Sequence, residues 1–200
     1  METYNIKKLT KYERRVVDGL LYPARRVGIS RDFGWVSLIC FSCIESNFRR
    51  EEPKRSNNPF LLKDDIDWLG NVVEVDAPVN LFGKLVVRKF RYRKYYSVDD
   101  NFNDFIDKAI ENYGGDVLRI SKSSLYFLSF LVGAGYYNHI LNLRAKEMGY
   151  KDFNSVSNRM NKTIIGYLLG KFKNRYIFPI KNYLIENNWI KKEYLKVCPR

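Results

Sequence analysis

The hydrophobic and polar positions along the chain predict helices on both sides of one extended segment. Apolar residues recur at helical spacing in the segment after Ser30: Val36, Ile39, Cys40 and Cys43. Ser30 is therefore predicted as the N-cap of a helix that runs to about Ser46. Further helices are predicted at about residues 11–21 and 121–133, and from residue 155 onward, with a new start at Pro179.

The extended segment lies between residues 71 and 96. Two runs rich in β-branched and aromatic residues, NVVEVDAPV and KLVVRKFRYRKYY, are separated by a short turn sequence that contains Gly83. They predict an antiparallel hairpin. Helix resumes after Ser97, which has Asp100 three residues later as in a capping box, and ends at Gly114. The predicted fold class is α+β, a mainly helical domain with a small antiparallel β-hairpin lobe.

Composition and charge restrict the classes of function. An apolar fraction of 46% supports a packed core and excludes an intrinsically disordered chain. Lys and Arg number 35 against 22 Asp and Glu, and this net charge of +13 implies an anionic partner such as nucleic acid, an acidic membrane surface or a cell-wall polymer. The single histidine, His139, excludes a multi-histidine metal site.

Two further features bear on location. The longest apolar run, residues 125–137, is too short to span a bilayer and is expected to form a buried helix. The N-terminal residues lack the apolar stretch of a secretory signal, so we expect synthesis in the cytoplasm.

Cys40 and Cys43 lie within the predicted helix and are expected to be small core residues.

Glu45 is the clearest candidate for chemistry. It lies at the C-terminal end of an otherwise apolar helix, where desolvation and the negative end of the helix dipole both raise the pKa of a carboxyl group. A general acid that works near neutral pH needs such a raised pKa. The alternative is a glutamate that faces solvent where the helix surfaces.

The sequence around Glu45 resembles a known family. GISRDFGWVSLICFSCIESNF is similar to the opening of the glucosaminidase domain of glycoside hydrolase family 73, which includes flagellar peptidoglycan hydrolases and autolysins. The catalytic glutamate of the family's Glu-Ser-Gly-Trp motif falls on Glu45. Four more segments resemble family motifs in the same order: residues 57–60, 68–70, 92–104 and 134–136. The resemblance covers about residues 23–145.

The resemblance implies a lysozyme-like fold and hydrolysis of the β-1,4 bond after N-acetylglucosamine in peptidoglycan, without a metal or organic cofactor. Glu45 would protonate the leaving oxygen. The implied substrate-binding residues are Asn58, Phe60, Trp68, Tyr95, Tyr136, Tyr137 and His139, although each aromatic residue is alternatively a core residue and His139 a polar structural one. Residues 1–150 would form the glucosaminidase domain, and residues 151–200 a basic, aromatic helical extension for docking or wall binding.

The sequence departs from the family pattern at two places. Asn47 and Phe48 replace Gly-Trp. The resulting Glu-Ser-x-Phe sequence is also seen in lytic transglycosylases and goose-type lysozymes, so a transglycosylase or a muramidase is an alternative. The family's second carboxylate lies on the hairpin, where ungapped counting reaches Val79. Glu74 and Asp76 are the nearest candidates, and Asp76 is favoured if a bulge at Pro78 shifts the register. Otherwise the substrate's own 2-acetamido group is the expected nucleophile.

A cationic run on the second strand supports a different class of protein. Five cations fall within residues 88–94, interleaved with Phe90 and Tyr92, as in strands that bind nucleic acid. The alternatives are a charged outer face or attraction to anionic wall polymers. The rival hypothesis is a non-catalytic structural or nucleic-acid-binding virion protein with a degenerate lysozyme scaffold. For the enzyme, we expect a phage virion component, in contact with other virion proteins, or an endolysin released to the wall.

Overall fold

The computed structural model describes residues 8–81 and 84–191, with side chains described outside residues 79–84. The described part contains α1 (Lys11–Ser30), α2 (Trp35–Glu45), α3 (Val98–Tyr113), α4 (Asp116–Ser121), α5 (Ser124–Gly133), α6 (Asn138–Glu147), α7 (Asn158–Phe172) and α8 (Phe178–Glu186). A 3-10 turn (Phe153–Ser155) precedes α7, and a π-helical turn (Lys173–Ile177) joins α7 to α8. Strands β1 (Val72–Leu81) and β2 (Lys84–Arg93) form an antiparallel pair. The predicted α+β class with one hairpin is confirmed.

Helix α2 is the centre of the hydrophobic core. Nine of its eleven residues are buried, and Leu38 and Ile39 are completely inaccessible. A helix that is apolar on all sides is stable only when other elements surround it, and α2 contacts α1, α5 and the π-helical turn. The predicted end of this helix is confirmed, because α2 stops at Glu45 where the buried segment reaches the surface.

The prediction that Ser30 caps α2 is wrong. Ser30 is the last residue of α1, which continues through Pro23, and its hydroxyl donates a hydrogen bond to the Val27 carbonyl at 3.0 Å. Helix α2 instead begins after Gly34, whose N–H donates to Ser121 Oγ at 2.8 Å. A Cβ at Gly34 would lie 1.9 Å from the Ser121 carbonyl oxygen. The start of α2 is therefore set by close contact with α4, which no local pattern reveals.

The hairpin register is regular from end to end. The pairs run from Val72 with Arg93 to Leu81 with Lys84, and Pro78 lies opposite Val87 without a bulge. Gly83 and the side chain of Val79 lie outside the described part. The capping box at the start of α3 is confirmed, because Ser97 Oγ accepts from the N–H of Asp100.

The C-terminal helices pack against the same core as α2. Their buried apolar residues are Ile164, Leu168, Phe172, Ile177, Ile180 and Leu184. Polar contacts add to this packing: Arg175 donates to Glu13 on α1 at 2.6 Å, and Tyr183 donates to Asp18 at 2.8 Å. Burial of Glu13 tends to raise its pKa, but the hydrogen bonds from Arg175 and Thr10 together with the charge of Arg175 outweigh this and lower the pKa to about 2. Residues 192–200 lie outside the described part.

Helix α2 carries two cysteines. Cys40 and Cys43 are both buried free thiols, and burial raises the pKa of each, for Cys40 to about 12. Thiols with such a raised pKa stay protonated and unreactive near neutral pH.

Within residues 8–81 and 84–191, no helix is both long and apolar enough to cross a membrane.

Candidate active site

Glu45 lies at the point where the buried helix α2 meets the surface, and its side chain is half-buried. Burial raises the pKa of the carboxyl to about 7, the hydrogen bond from Tyr137 opposes this rise, and the charge of Glu51 adds to it. Tyr137 Oη donates to Glu45 Oε1 at 2.7 Å. Glu45 therefore holds its proton near neutral pH in a fixed orientation, as a general acid requires.

The turn between α5 and α6 positions Tyr137. Gly135 has a φ of 85°, in the left-handed region that favours glycine, and a Cβ there would lie 2.8 Å from the Asn138 amide nitrogen. The turn leaves Tyr137 only 2% exposed, with its ring 5.1 Å from that of Tyr136 and 5.1 Å from that of Phe172. The hydroxyl is thus held on Glu45 by a packed ring.

A pocket lies beside this pair of tyrosines. We call it the Tyr136 pocket, and its lining includes Leu62, Phe105, Lys108, Asn112, Tyr113 and Tyr136. Tyr136 links the pocket to the candidate acid, because its ring packs on that of Tyr137 at a centroid distance of 5.1 Å and Tyr137 donates to Glu45. Aromatic walls with a few polar groups suit a sugar, because tyrosine rings pack on the apolar faces of pyranoses.

A left-handed turn follows Glu45. Asn47, Phe48 and Arg49 have φ angles of 47°, 55° and 60°, which cost about 1–2 kcal/mol each for ordinary L residues. Asparagine tolerates this region better than other side chains. Asn47 is therefore suited to the left-handed conformation that it adopts.

Tertiary contacts hold the left-handed turn. Ser46 is fully buried, and its hydroxyl donates to the Ser42 carbonyl at 2.6 Å and accepts from the Arg49 N–H at 2.9 Å. Phe48 is also fully buried, and its ring stacks on Tyr176 at a centroid distance of 5.3 Å. Strained backbone that surrounding contacts hold in place is a common feature of functional sites.

Asn58 and Phe60, predicted to bind substrate, lie in the interior at 0% and 2% exposure. The Asn58 amide donates to the carbonyls of Leu62 and Arg93 at 2.8 and 2.9 Å, and its oxygen accepts from the Leu62 N–H. The ring of Phe60 stacks on Phe105 at a centroid distance of 3.8 Å. Both side chains are buried in the protein: Asn58 joins its loop to the end of β2, and Phe60 packs on α3.

Tyr95 and Trp68 support the same region from the other side. Tyr95 is 5% exposed and its hydroxyl donates to Asp104, so it is not open to a sugar. Trp68 is half-buried, with the Arg93 guanidinium 4.6 Å from its ring centroid and its indole N–H donated to the Asn71 carbonyl. One face of the Trp68 ring is therefore occupied by protein.

The hairpin carboxylates lie in exposed positions. Glu74 pairs with Lys89 at 2.9 Å, and Asp76 is the register partner of the same lysine. Because no bulge interrupts β1 at Pro78, the register shift that would favour Asp76 is absent. Glu74 is thus engaged by the cationic strand, and Asp76 lies opposite that strand. His139 lies exposed near the start of α6. Of the predicted set, Tyr137 contacts Glu45, and Tyr136 packs on Tyr137.

The cationic run on β2 is partly neutralised. Three of its five cations have ion-pair partners: Lys89 with Glu74 at 2.9 Å, Arg91 with Asp64 at 3.1 Å, and Arg93 with Asp104 at 2.7 Å. Arg93 is buried rather than available to a ligand. The surface offers less free positive charge than the sequence suggests, which weakens the nucleic-acid alternative. Among the described residues, no group of three or more His, Cys, Asp or Glu side chains is placed to hold a metal ion.

Two residues near Glu45 are missed by sequence reasoning. Glu51 returns beside the end of α2, where its N–H donates to the Ser46 carbonyl at 3.0 Å and its carboxylate accepts from the Asn47 amide at 3.2 Å. Tyr176 lies in the π-helical turn and donates to the Asn47 oxygen at 3.4 Å. No motif marks Glu51, and Tyr176 lies beyond the segment that resembles the family. Asn47 in place of a glycine was the one available hint of a left-handed turn.

A helical domain that buries one central helix, carries a two-stranded hairpin and presents a glutamate where that helix ends has the lysozyme-like glycoside hydrolase fold. Solved structures with this fold are similar to the chain: a glycoside hydrolase domain of FlgJ from Salmonella typhimurium (20% identity, TM-score 0.52, 79% of this chain and 98% of that one) and the catalytic domain of the autolysin Auto from Listeria monocytogenes (14%, 0.53, 90% and 91%). At these identities the likeness shows the fold, and the predicted lysozyme-like architecture is confirmed. No protein-family model and no curated protein matches the sequence.

Proposed function

We propose that the protein is a glycoside hydrolase that cleaves peptidoglycan, with Glu45 as the general acid. The observation that carries the proposal is the state of the Glu45 carboxyl. Burial raises its pKa to about 7, and Tyr137 Oη donates to Glu45 Oε1 at 2.7 Å. In glycoside hydrolysis such a carboxylic acid donates its proton to the leaving oxygen while the sugar becomes oxocarbenium-like. The position of Glu45 at the end of a buried helix supports this role.

Three features support peptidoglycan as the polymer. The Tyr136 pocket offers aromatic walls and polar groups, and Tyr136 packs on the Tyr137 ring whose hydroxyl contacts the acid. The net charge of +13 favours an anionic polymer such as the bacterial wall. The similar solved structures include the catalytic domain of an autolysin and a glycoside hydrolase domain of FlgJ.

Within this function, the bond cut is the β-1,4 bond after N-acetylglucosamine, as the resemblance to the glucosaminidase domain implies. A muramidase and a lytic transglycosylase are the alternatives on the same fold. They differ in the new chain end, which is reducing N-acetylglucosamine for the proposed reaction, reducing N-acetylmuramic acid for a muramidase, and a 1,6-anhydro sugar for a transglycosylase.

Digestion of purified sacculi tests the proposal. Borohydride reduction and mass spectrometry of the fragments identify the new chain end, and we expect N-acetylglucosaminitol. Glu45→Gln should lower the rate by about 10²–10⁴-fold, because the amide cannot donate the proton. Glu111→Gln, which changes an exposed glutamate on α3, is the matched control and should keep full activity. Failure of the folded wild-type protein to release any fragment would refute the function.

The narrower biological role that we infer is a phage lysin, either a virion component or an endolysin released to the wall. The basic composition supports it, because a cationic enzyme stays bound to anionic wall polymers near the bonds that it cuts. Sedimentation with intact sacculi should weaken as ionic strength rises past about 0.15 M, where the Debye length is roughly 8 Å. Binding to DNA without any binding to sacculi would contradict this role.

A further inference from the structure

We propose that Glu51 is the second catalytic carboxylate, which accepts a proton from the attacking water while Glu45 protonates the leaving oxygen. The inference rests on the proposed glycosidase function. The left-handed turn at residues 47–49 carries it, because the turn reverses the chain directly after the acid. As a result, the Glu51 N–H lies 3.0 Å from the carbonyl oxygen of Ser46, the neighbour of Glu45 in sequence.

A path of side-chain contacts through three aromatic rings links the two carboxylates. Two hydrogen bonds begin the path: the Asn47 amide donates to Glu51 at 3.2 Å, and Tyr176 donates to the Asn47 oxygen at 3.4 Å. The Tyr176 ring then contacts that of Phe172, and the Phe172 ring contacts that of Tyr137, at centroid distances of 6.3 and 5.1 Å. A hydrogen bond of 2.7 Å from Tyr137 to Glu45 completes the path. Both ends of the path are carboxylates. The π-helical turn that presents Tyr176 is thus part of the arrangement, and single π-helical turns within α-helices are often associated with function.

The electrostatics agree with this placement. Burial raises the pKa of Tyr92 on β2, and the charge of Glu51 raises it further. For Glu45, burial and the same charge both raise the pKa. Glu51 therefore lies near both the end of α2 and the hairpin, and its charge helps to keep the acid protonated.

Glu51 is also free to do chemistry, whereas the neighbouring carboxylates are engaged. Its side chain is exposed and accepts one hydrogen bond, from Asn47. Glu52 is buried and bonded to Arg49 and to the Asn58 N–H, so it stabilises the loop. Glu74 is engaged by Lys89 on the hairpin. A carboxylate that must take a proton from water needs the open position that Glu51 has.

The proposed step balances as a hydrolysis. The water oxygen bonds to the anomeric carbon as the glycosidic carbon–oxygen bond breaks, one water proton passes to Glu51, and the Glu45 proton passes to the leaving oxygen. Water attacks from the face opposite the leaving group, so the anomeric configuration inverts. Inverting enzymes place their two carboxyls about 6.5–9.5 Å apart to leave room for that water.

Single-residue variants and product stereochemistry test the inference. With a soluble peptidoglycan fragment as substrate, Glu51→Gln should lower kcat by about 10²–10⁴-fold with little change in KM, as loss of a general base predicts. Glu111→Gln changes an exposed glutamate that does not line the Tyr136 pocket, and it should keep the wild-type kcat. Added azide should restore turnover of Glu51→Ala as a glycosyl azide, since azide needs no base. NMR of fresh wild-type product should show the inverted anomer.

The outcomes separate this inference from the function on which it rests. Wild-type kcat in Glu51→Gln, together with an inactive Glu45→Gln, would overturn the role of Glu51 and leave the glycosidase intact. A retained anomer would do the same and would assign the second role to the substrate's 2-acetamido group. A wild-type protein that releases no fragment would refute the function itself.

Discussion

Replacement of Glu45 by glutamine should stabilise the fold at alkaline pH. The pKa of Glu45 rises from 4.5 to about 7 on folding because burial disfavours the charged carboxylate. A difference of about 2.5 pH units corresponds to roughly 3 kcal/mol. The folded state binds the proton more tightly than the unfolded state, so stability is highest below pH 4.5 and falls as pH rises to about 7. Glutamine is neutral at every pH, and its oxygen still accepts the hydrogen bond from Tyr137.

Urea unfolding followed by tryptophan fluorescence measures this effect. At pH 8 we expect Glu45→Gln to be more stable than the wild type by about 3 kcal/mol, and at pH 4.5 the two should agree within about 0.5 kcal/mol. Other titrating groups cancel in the comparison between pH values, and Glu111→Gln controls for the loss of one surface charge. The same difference at both pH values would show that Glu45 is not desolvated and would remove the physical basis for a general acid.

Three further predictions follow from contacts around the site. Tyr137→Phe removes a hydrogen bond that favours ionised Glu45, so the pKa of Glu45 should rise and the alkaline limb of the kcat/KM profile should move up by about one pH unit; an unmoved limb would count against this contact. Asn47→Ala should be about 1 kcal/mol less stable than Asn47→Gly in urea, because the φ of 47° favours glycine, and equal stabilities would contradict the left-handed turn. Glu13→Gln should cost about 3 kcal/mol at pH 7 and less at pH 3, since the pKa of about 2 stabilises the fold above pH 4.5; no dependence on pH would disprove the pairing with Arg175.

Features that depend on neighbouring residues could be predicted from the sequence. The end of α2 at Glu45 follows from an apolar run that stops, and the hairpin follows from two β-branched runs around a turn. The capping box of Ser97 with Asp100 is a four-residue pattern. By contrast, the start of α2 depends on Ser121, which lies 87 residues away, and so Ser30 was a misleading cap.

The candidate site divides in the same way. Glu45 could be identified because its chemistry depends on the helix that carries it. The motif residues Asn58 and Phe60 lie in sequence beside a predicted substrate loop, but only the fold shows that they are buried. A motif identifies residues that a family needs without showing whether they bind the substrate or support the loop that does.

The sequence by itself determined the hairpin and most of the helices, although not α4 or α6, and it indicated a packed core and a carboxyl at the end of an apolar helix. Only the tertiary structure decided what surrounds that carboxyl. Tyr137 reaches Glu45 across 92 residues, and Tyr176 comes from a segment that resembles no family motif. Glu51 approaches through backbone angles that residues in other elements impose. Local patterns encode hydrogen bonds between near neighbours, whereas desolvation and side-chain contacts between distant segments exist only after the chain has packed.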